Sequence, residues 1–174
     1  MKQEYRQGII DFIKMQPNKI HLTLTFREGT TERQAEVTLK RLLWEVMGRL
    51  KRRFYKKKQF LTGIVSKELQ SNGTVHFHAI IADPHGLVQS RQQFEDLVRF
   101  RLSKYPVSQF SSKTVTDIHK GFSVQEYYDK GDCALAKYIT KLFENWSISF
   151  DAAQNSIGII GEGDIAFGGS IGRL

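Results

Sequence analysis

The stretch Thr74-Val75-His76-Phe77-His78-Ala79-Ile80-Ile81 places two of the chain's five histidines two positions apart in an otherwise apolar run. Strand alternation puts Val75, Phe77, Ala79 and Ile81 on one face. His76 and His78 then share the other, with side chains about 7 Å apart. Two imidazoles at that spacing can bind one metal ion. The preceding Ser71-Asn72-Gly73 reads as a three-residue hairpin loop whose glycine takes the left-handed conformation. That loop pairs Gln70 with Thr74, Leu69 with Val75 and Glu68 with His76. Directly opposed residues have Cβ atoms about 5 Å apart, so Glu68 lands beside His76 and diagonal to His78. A slip of one residue would turn Glu68 to the other face. The mixed nitrogen and oxygen set Glu68, His76 and His78 suits a divalent cation with open positions.

Other uses of two spaced histidines fit poorly. A zinc deaminase needs His-x-Glu with Pro-Cys-x-x-Cys, and Cys133 is the only cysteine. The same count excludes an internal disulfide and suits a reducing compartment. A cupin needs a jelly roll, against which three expected helices argue. A two-histidine phosphoesterase needs two His-x-Thr motifs, and only His21-Leu22-Thr23 qualifies. No Gly-x-x-x-x-Gly-Lys-Ser/Thr loop occurs.

A nucleophile is also present. Asp132 is expected to cap a helix that runs to about Asn145, with Leu135, Ile139, Leu142 and Phe143 as its buried stripe. Tyr138 sits at the edge of that stripe, and Lys141, one turn on, near the same edge. A tyrosine there ordinarily packs with its hydroxyl in water. Once activated, its oxygen is a covalent nucleophile, and Lys141 could hold a phosphate or orient the phenol. Tyr127 and Tyr128 are rivals, but they precede the cap and lack the lysine.

The elements that must position these groups follow from periodicity. Residues 20–26 alternate: Leu22, Leu24 and Phe26 face one side, His21, Thr23 and Thr25 the other. Leu39, Leu42, Leu43, Val46, Leu50 and Phe54 then mark one face of a helix. That helix is expected to end in a basic run of Arg49, Lys51, Arg52, Arg53, Lys56, Lys57 and Lys58. Cations there complement the helix dipole, or they contact phosphates. Strands at about 60–70 and 74–82 follow. Ser90 and Gln93 make a capping-box pattern for a helix to about Lys104, and residues 113–119 read as a strand. The order β, α, β, β, α, β, α predicts an α+β fold, with helices on one face of an antiparallel sheet and the other face open. Residues 1–150 form the expected domain. Residues 151–174, rich in glycine, stay unassigned: a strand or a loosely packed linker.

Lys and Arg outnumber Asp and Glu by 26 to 18, a formal charge of +8, which favours an acidic partner such as nucleic acid. No apolar run approaches the roughly 20 residues of a membrane span. A cytoplasmic, nucleoid-associated protein is expected.

At this point the residues resemble the HUH single-strand endonucleases, named for His-hydrophobic-His, and in particular their single-tyrosine replication initiators. His21-Leu22-Thr23-Leu24-Thr25-Phe26 is similar to the first motif of those initiators, and His76-Phe77-His78 to the HUH motif. Glu68 resembles a third metal ligand, and Tyr138-Ile139-Thr140-Lys141 the Tyr-x-x-Lys motif. The match spans roughly residues 20–143. Relaxases of that superfamily carry the tyrosine before the histidines. Here it follows them, as in replication initiators and small tyrosine transposases. The resemblance implies an RRM- or ferredoxin-like sheet of about five antiparallel strands with the active site on its open face. It implies metal-dependent nicking and joining of single-stranded or hairpin origin DNA, with Mg²⁺ or Mn²⁺ on Glu68, His76 and His78 and a 5′-phosphotyrosine on Tyr138. Lys141 would neutralise phosphate charge or lower the phenol pKa. Thr23, Thr25, Arg49, Arg52, Arg53, Lys56, Lys57 and Lys58 would carry DNA contacts, and a separate helicase would unwind the duplex. The alternatives are a transposase with the same chemistry and a non-catalytic nucleic-acid binder in which the histidine pair is incidental.

Overall fold

The computed structural model describes residues 1–105, 122–127 and 133–168. The strand expected at 113–119, the Asp132 cap and Tyr128 lie outside them. The elements are α1 (Lys2–Met15), β1 (Lys19–Thr25), α2 (Glu32–Leu50), β2 (Thr62–Leu69), β3 (Val75–Ala82), α3 (Arg91–Leu102), β4 (Phe122–Glu126), α4 (Ala134–Ile139), a 3₁₀ turn (Lys141–Glu144), α5 (Phe150–Asn155), β5 (Ile157–Gly161) and β6 (Asp164–Phe167).

One antiparallel sheet runs in the order β4-β1-β3-β2-β5-β6. Its first four strands, with α2 and α3 as crossovers, form the split βαβ arrangement of a ferredoxin-like fold. The expected α+β class is therefore present, with six strands instead of about five. β1 supplies Leu22 and Leu24, β3 Phe77 and Ala79, and β2 Val65 to a core shared with Leu39, Leu42 and Leu43 of α2 and Phe94 and Val98 of α3. Thr31 and Gln34 close a full capping box at the start of α2. Ser90 accepts from the Gln93 amide at 3.1 Å, which caps α3.

The other face is open only in part. Ile9, Ile10 and Ile13 of α1, Ala136 and Ile139 of α4, Phe143 and Ala153 form a second core on Ile64, Ile80, Ile157 and Ile159. Helices thus lie on both sides, and those on the second side cover its β2–β5 half. α1 follows an apolar stripe at Tyr5, Ile9, Phe12 and Ile13, spaced at the helical period. It ends just before Pro17, with Gln16 extended (φ −76, ψ 134), as the residue before proline prefers.

Two expectations change at the C-terminal end. Residues 157–167, within the unassigned tail, form a hairpin whose first strand pairs with β2, Ile64 opposite Ile159. The helix expected to run to Asn145 stops at Ile139. The Thr140 hydroxyl donates back to the Ala136 carbonyl at 2.8 Å, which competes with the backbone ladder. The same oxygen accepts from Arg6 Nε at 3.2 Å, so α1 fixes the break. The chain continues as the 3₁₀ turn.

Candidate active site

The hairpin register is the expected one, with Glu68 opposite His76 and Ser66 opposite His78. On the other side of β3, Thr25 stands opposite His76 and Thr23 opposite His78. Each histidine is therefore flanked by polar residues of both neighbouring strands.

These neighbours orient the rings. Thr25 Oγ1 lies 2.7 Å from His76 Nδ1. His21 Nε2 lies 3.3 Å from His78 Nδ1, with the two rings stacked at 5.6 Å and 23°. Thr23 Oγ1 is 3.4 Å from both of those nitrogens. With both Nδ1 atoms tied to β1, the two Nε2 atoms turn towards each other and lie 3.1 Å apart. Adjacent ligands of a cation with bonds of about 2.1 Å stand about 3.0 Å apart, so this pair already matches one edge of a coordination shell.

Charge state agrees with that use. Burial, and then the neighbouring His76, push the His78 pKa down to about 4. Burial also lowers His76, against the pull of Glu68, and burial and His76 together lower His21. All three imidazoles are neutral at neutral pH, the state in which histidine binds metal.

Glu68 is differently engaged. Lys141 Nζ bonds its Oε2 at 3.2 Å and lies 3.0 Å from Oε1. Oε1 is buried and has no hydrogen bond of good geometry. Among the described residues no three His, Cys, Asp or Glu side chains close around a common point. The donor types nonetheless fit a divalent metal: two neutral imidazole nitrogens facing each other, with an orphaned carboxylate oxygen on the residue opposite His76.

Tyr138 is 43% exposed. Its ring meets that of His78 edge-on, at 5.2 Å and 88°, and Lys141 Nζ sits 4.1 Å from its centroid. Burial acts to lower the Lys141 pKa, but bonds to Glu68 and Tyr138 outweigh it and raise the ammonium above its usual range. The break at Thr140 brings about this arrangement, since the 3₁₀ turn carries Lys141 over to β2. The rival Tyr127 sits at the far end of β1, with Lys19 Nζ 5.1 Å from its ring centroid.

Some expected partners are not brought together. α2 ends at Leu50, so of the basic run only Arg49 belongs to the helix. Arg52, Arg53, Lys56, Lys57 and Lys58 lie in a tight loop leading to β2 at Thr62. Thr62 is four residues from Ser66, or about 13 Å along the strand. Thr23 and Thr25 touch the histidines, a role the sequence reading did not give them. His21 was placed on the correct face but not counted as part of the site. Its signal was the His-x-Thr-x-Thr alternation itself.

The strand order and the polar cluster on β1, β2 and β3 define a ferredoxin-like α+β protein with a histidine-centred site. The family model for replication-associated protein, ORF2 type, matches residues 19–143, from the start of β1 to the end of the Tyr138 segment, and the chain belongs to that family. Membership supports a replication-initiator role. No curated protein and no solved structure matches the chain. No helix among the described residues is long and apolar enough to cross a membrane.

Proposed function

We propose that the protein is a metal-dependent nuclease of the single-tyrosine HUH type, which nicks and rejoins single-stranded origin DNA to initiate rolling-circle replication. The observation that carries this reading is the meeting of Tyr138, Lys141 and the His76–His78 pair, whose rings and ammonium lie within about one side-chain length of each other. His76 and His78, with Glu68, would hold Mg²⁺ or Mn²⁺. A divalent cation there supplies Lewis-acid polarisation of the scissile phosphate.

The chain's own groups do the rest. Tyr138 Oη attacks phosphorus, the Oη–P bond forms, and the P–O3′ bond breaks. The phenol proton is lost, and the departing oxygen gains one to become a 3′-hydroxyl that can prime synthesis. One phosphoester replaces another, so the linkage energy is kept and rejoining is the reverse step without ATP. Lys141 neutralises phosphate charge, and Thr25, Thr23 and His21 hold the imidazoles in place. Membership of a replication-associated family favours replication over transposition.

The test uses a 5′-side and a 3′-side labelled single-stranded origin oligonucleotide with Mn²⁺ on a denaturing gel. The unaltered protein should give a nick and a covalent adduct. Tyr138→Phe keeps the ring and deletes the nucleophile, and should lose both while binding DNA normally. An adduct that survives in Tyr138→Phe places the nucleophile elsewhere. A protein that binds DNA but yields neither product under any divalent cation is a binding module.

A further inference from the structure

A second nucleic-acid contact lies away from the histidines, at the opposite end of β2. The loop after α2 is a compact knuckle. Phe54 anchors it at 2% exposure, Gln59 N bonds Phe54 O at 3.0 Å, and Arg53 and Lys58 take left-handed conformations (φ 58 and 50). It projects Lys51, Arg52, Arg53, Lys56, Lys57 and Lys58, and no carboxylate among the described residues pairs with any of the six.

Within this knuckle two large aromatic rings are half exposed, Trp44 at 44% and Tyr55 at 49%. They stack on each other at 6.1 Å and 20°. The Trp44 ring is fixed from two sides. Phe54 meets it edge-on at 4.7 Å, and the β5–β6 turn packs so closely that a Cβ at Gly163 would fall 2.7 Å from the indole. Tyr55 and Lys58, with Phe60, Thr62, His85 and Phe12, line a groove of about 1050 Å³. Its acidic members are Glu162 and Asp164, the latter bound to Lys40 at 3.2 Å.

We propose that this surface binds unpaired nucleotides, with a base extending the Trp44–Tyr55 stack into the groove and the flanking phosphates on Lys56, Lys57 and Lys58. Stacked, half-exposed rings beside unpaired cations are what single strands require, whereas duplex bases present no free face. α1 lies between the groove and the histidines, so the groove takes a stretch of DNA other than the one being cut. The proposal rests on single-stranded DNA being the substrate.

The test is fluorescence anisotropy with a labelled oligothymidylate of about twelve nucleotides and a blunt duplex of equal length. Tyr55→Ala should weaken single-strand binding roughly 5- to 100-fold and leave duplex binding alone, and Tyr55→Phe should restore it. Gln at positions 56, 57 and 58 together should flatten the salt slope by about 2. Unchanged single-strand affinity in Tyr55→Ala overturns the proposal, as does a Tyr55→Phe protein as weak as Tyr55→Ala. Should Tyr55→Ala fail to fold by circular dichroism, Trp44 emission in a Trp146→Phe background decides. Quenching by the oligothymidylate but not the duplex supports the stack, and unchanged emission overturns it. Adduct formation by the unaltered protein, scored in parallel, reports on Tyr138 alone, so the two proposals fail separately.

Discussion

At the scale of single residues, the hydroxyl of Thr25 decides which nitrogen His76 offers. Its 2.7 Å contact with Nδ1 leaves Nε2 to face His78, and groups that fix a ligand's tautomer commonly govern metal affinity 10- to 100-fold. Thr25→Val keeps the shape and removes the contact. It should weaken Mn²⁺ binding, measured by titration calorimetry, by roughly that factor while Thr25→Ser restores it. Equal affinity in Thr25→Val would make the contact incidental. The opposition of Glu68 and His76 was legible in the sequence because a three-residue loop ending in Gly73 fixes register locally. The capture of Glu68 by Lys141 was not, because that contact joins residues 73 apart and depends on the break at Thr140. His21 was legible in part: alternation gave its face, but not that its ring would stack on His78.

At the scale of elements, the strands and the two crossover helices were legible because each carries one clear period and its own cap. α1 carries an equally clear stripe, at Tyr5, Ile9, Phe12 and Ile13, and its signal went unread. The break in the last helix was hidden, because the Thr140 hydroxyl is held from outside by Arg6. The β5–β6 hairpin was hidden by glycine, which carries no side chain to mark alternation. Gly63 shows what such a residue can do. Its φ is +148, and a Cβ there would fall 2.0 Å from the Ile80 carbonyl oxygen, so β2 and β3 approach too closely for any side chain. Gly63→Ala should therefore force the two strands apart, misalign Glu68 and His76, and lower stability by about 3 kcal/mol or more in urea denaturation. A loss under about 1 kcal/mol would mean that the backbone yields at little cost.

At the scale of the whole molecule, three imidazoles held neutral in a chain of net charge +8 couple the site to the stability of the fold. Burial lowers the pKa of His21 and of His76, and takes His78 from 6.5 to about 4. In the unfolded chain all three titrate near the ordinary value. As pH falls below 6.5 the unfolded state takes up protons that the folded state refuses, so stability is full above that value and is lost on the way down to about 4. Carboxylates titrate near the lower end of this window, so the metal-free protein alone does not isolate the histidines. A comparison with His78→Asn does, since asparagine fills similar space and takes no proton. With EDTA present, the unaltered protein should lose more Tm than His78→Asn between neutral pH and about pH 5. Bound Mn²⁺ should offset part of that loss at the upper end, by favouring the state that binds it. Parallel melting curves for the two proteins across that range would mean that the folded site admits a proton on His78 as readily as water does, and that the pair is not held in its neutral form.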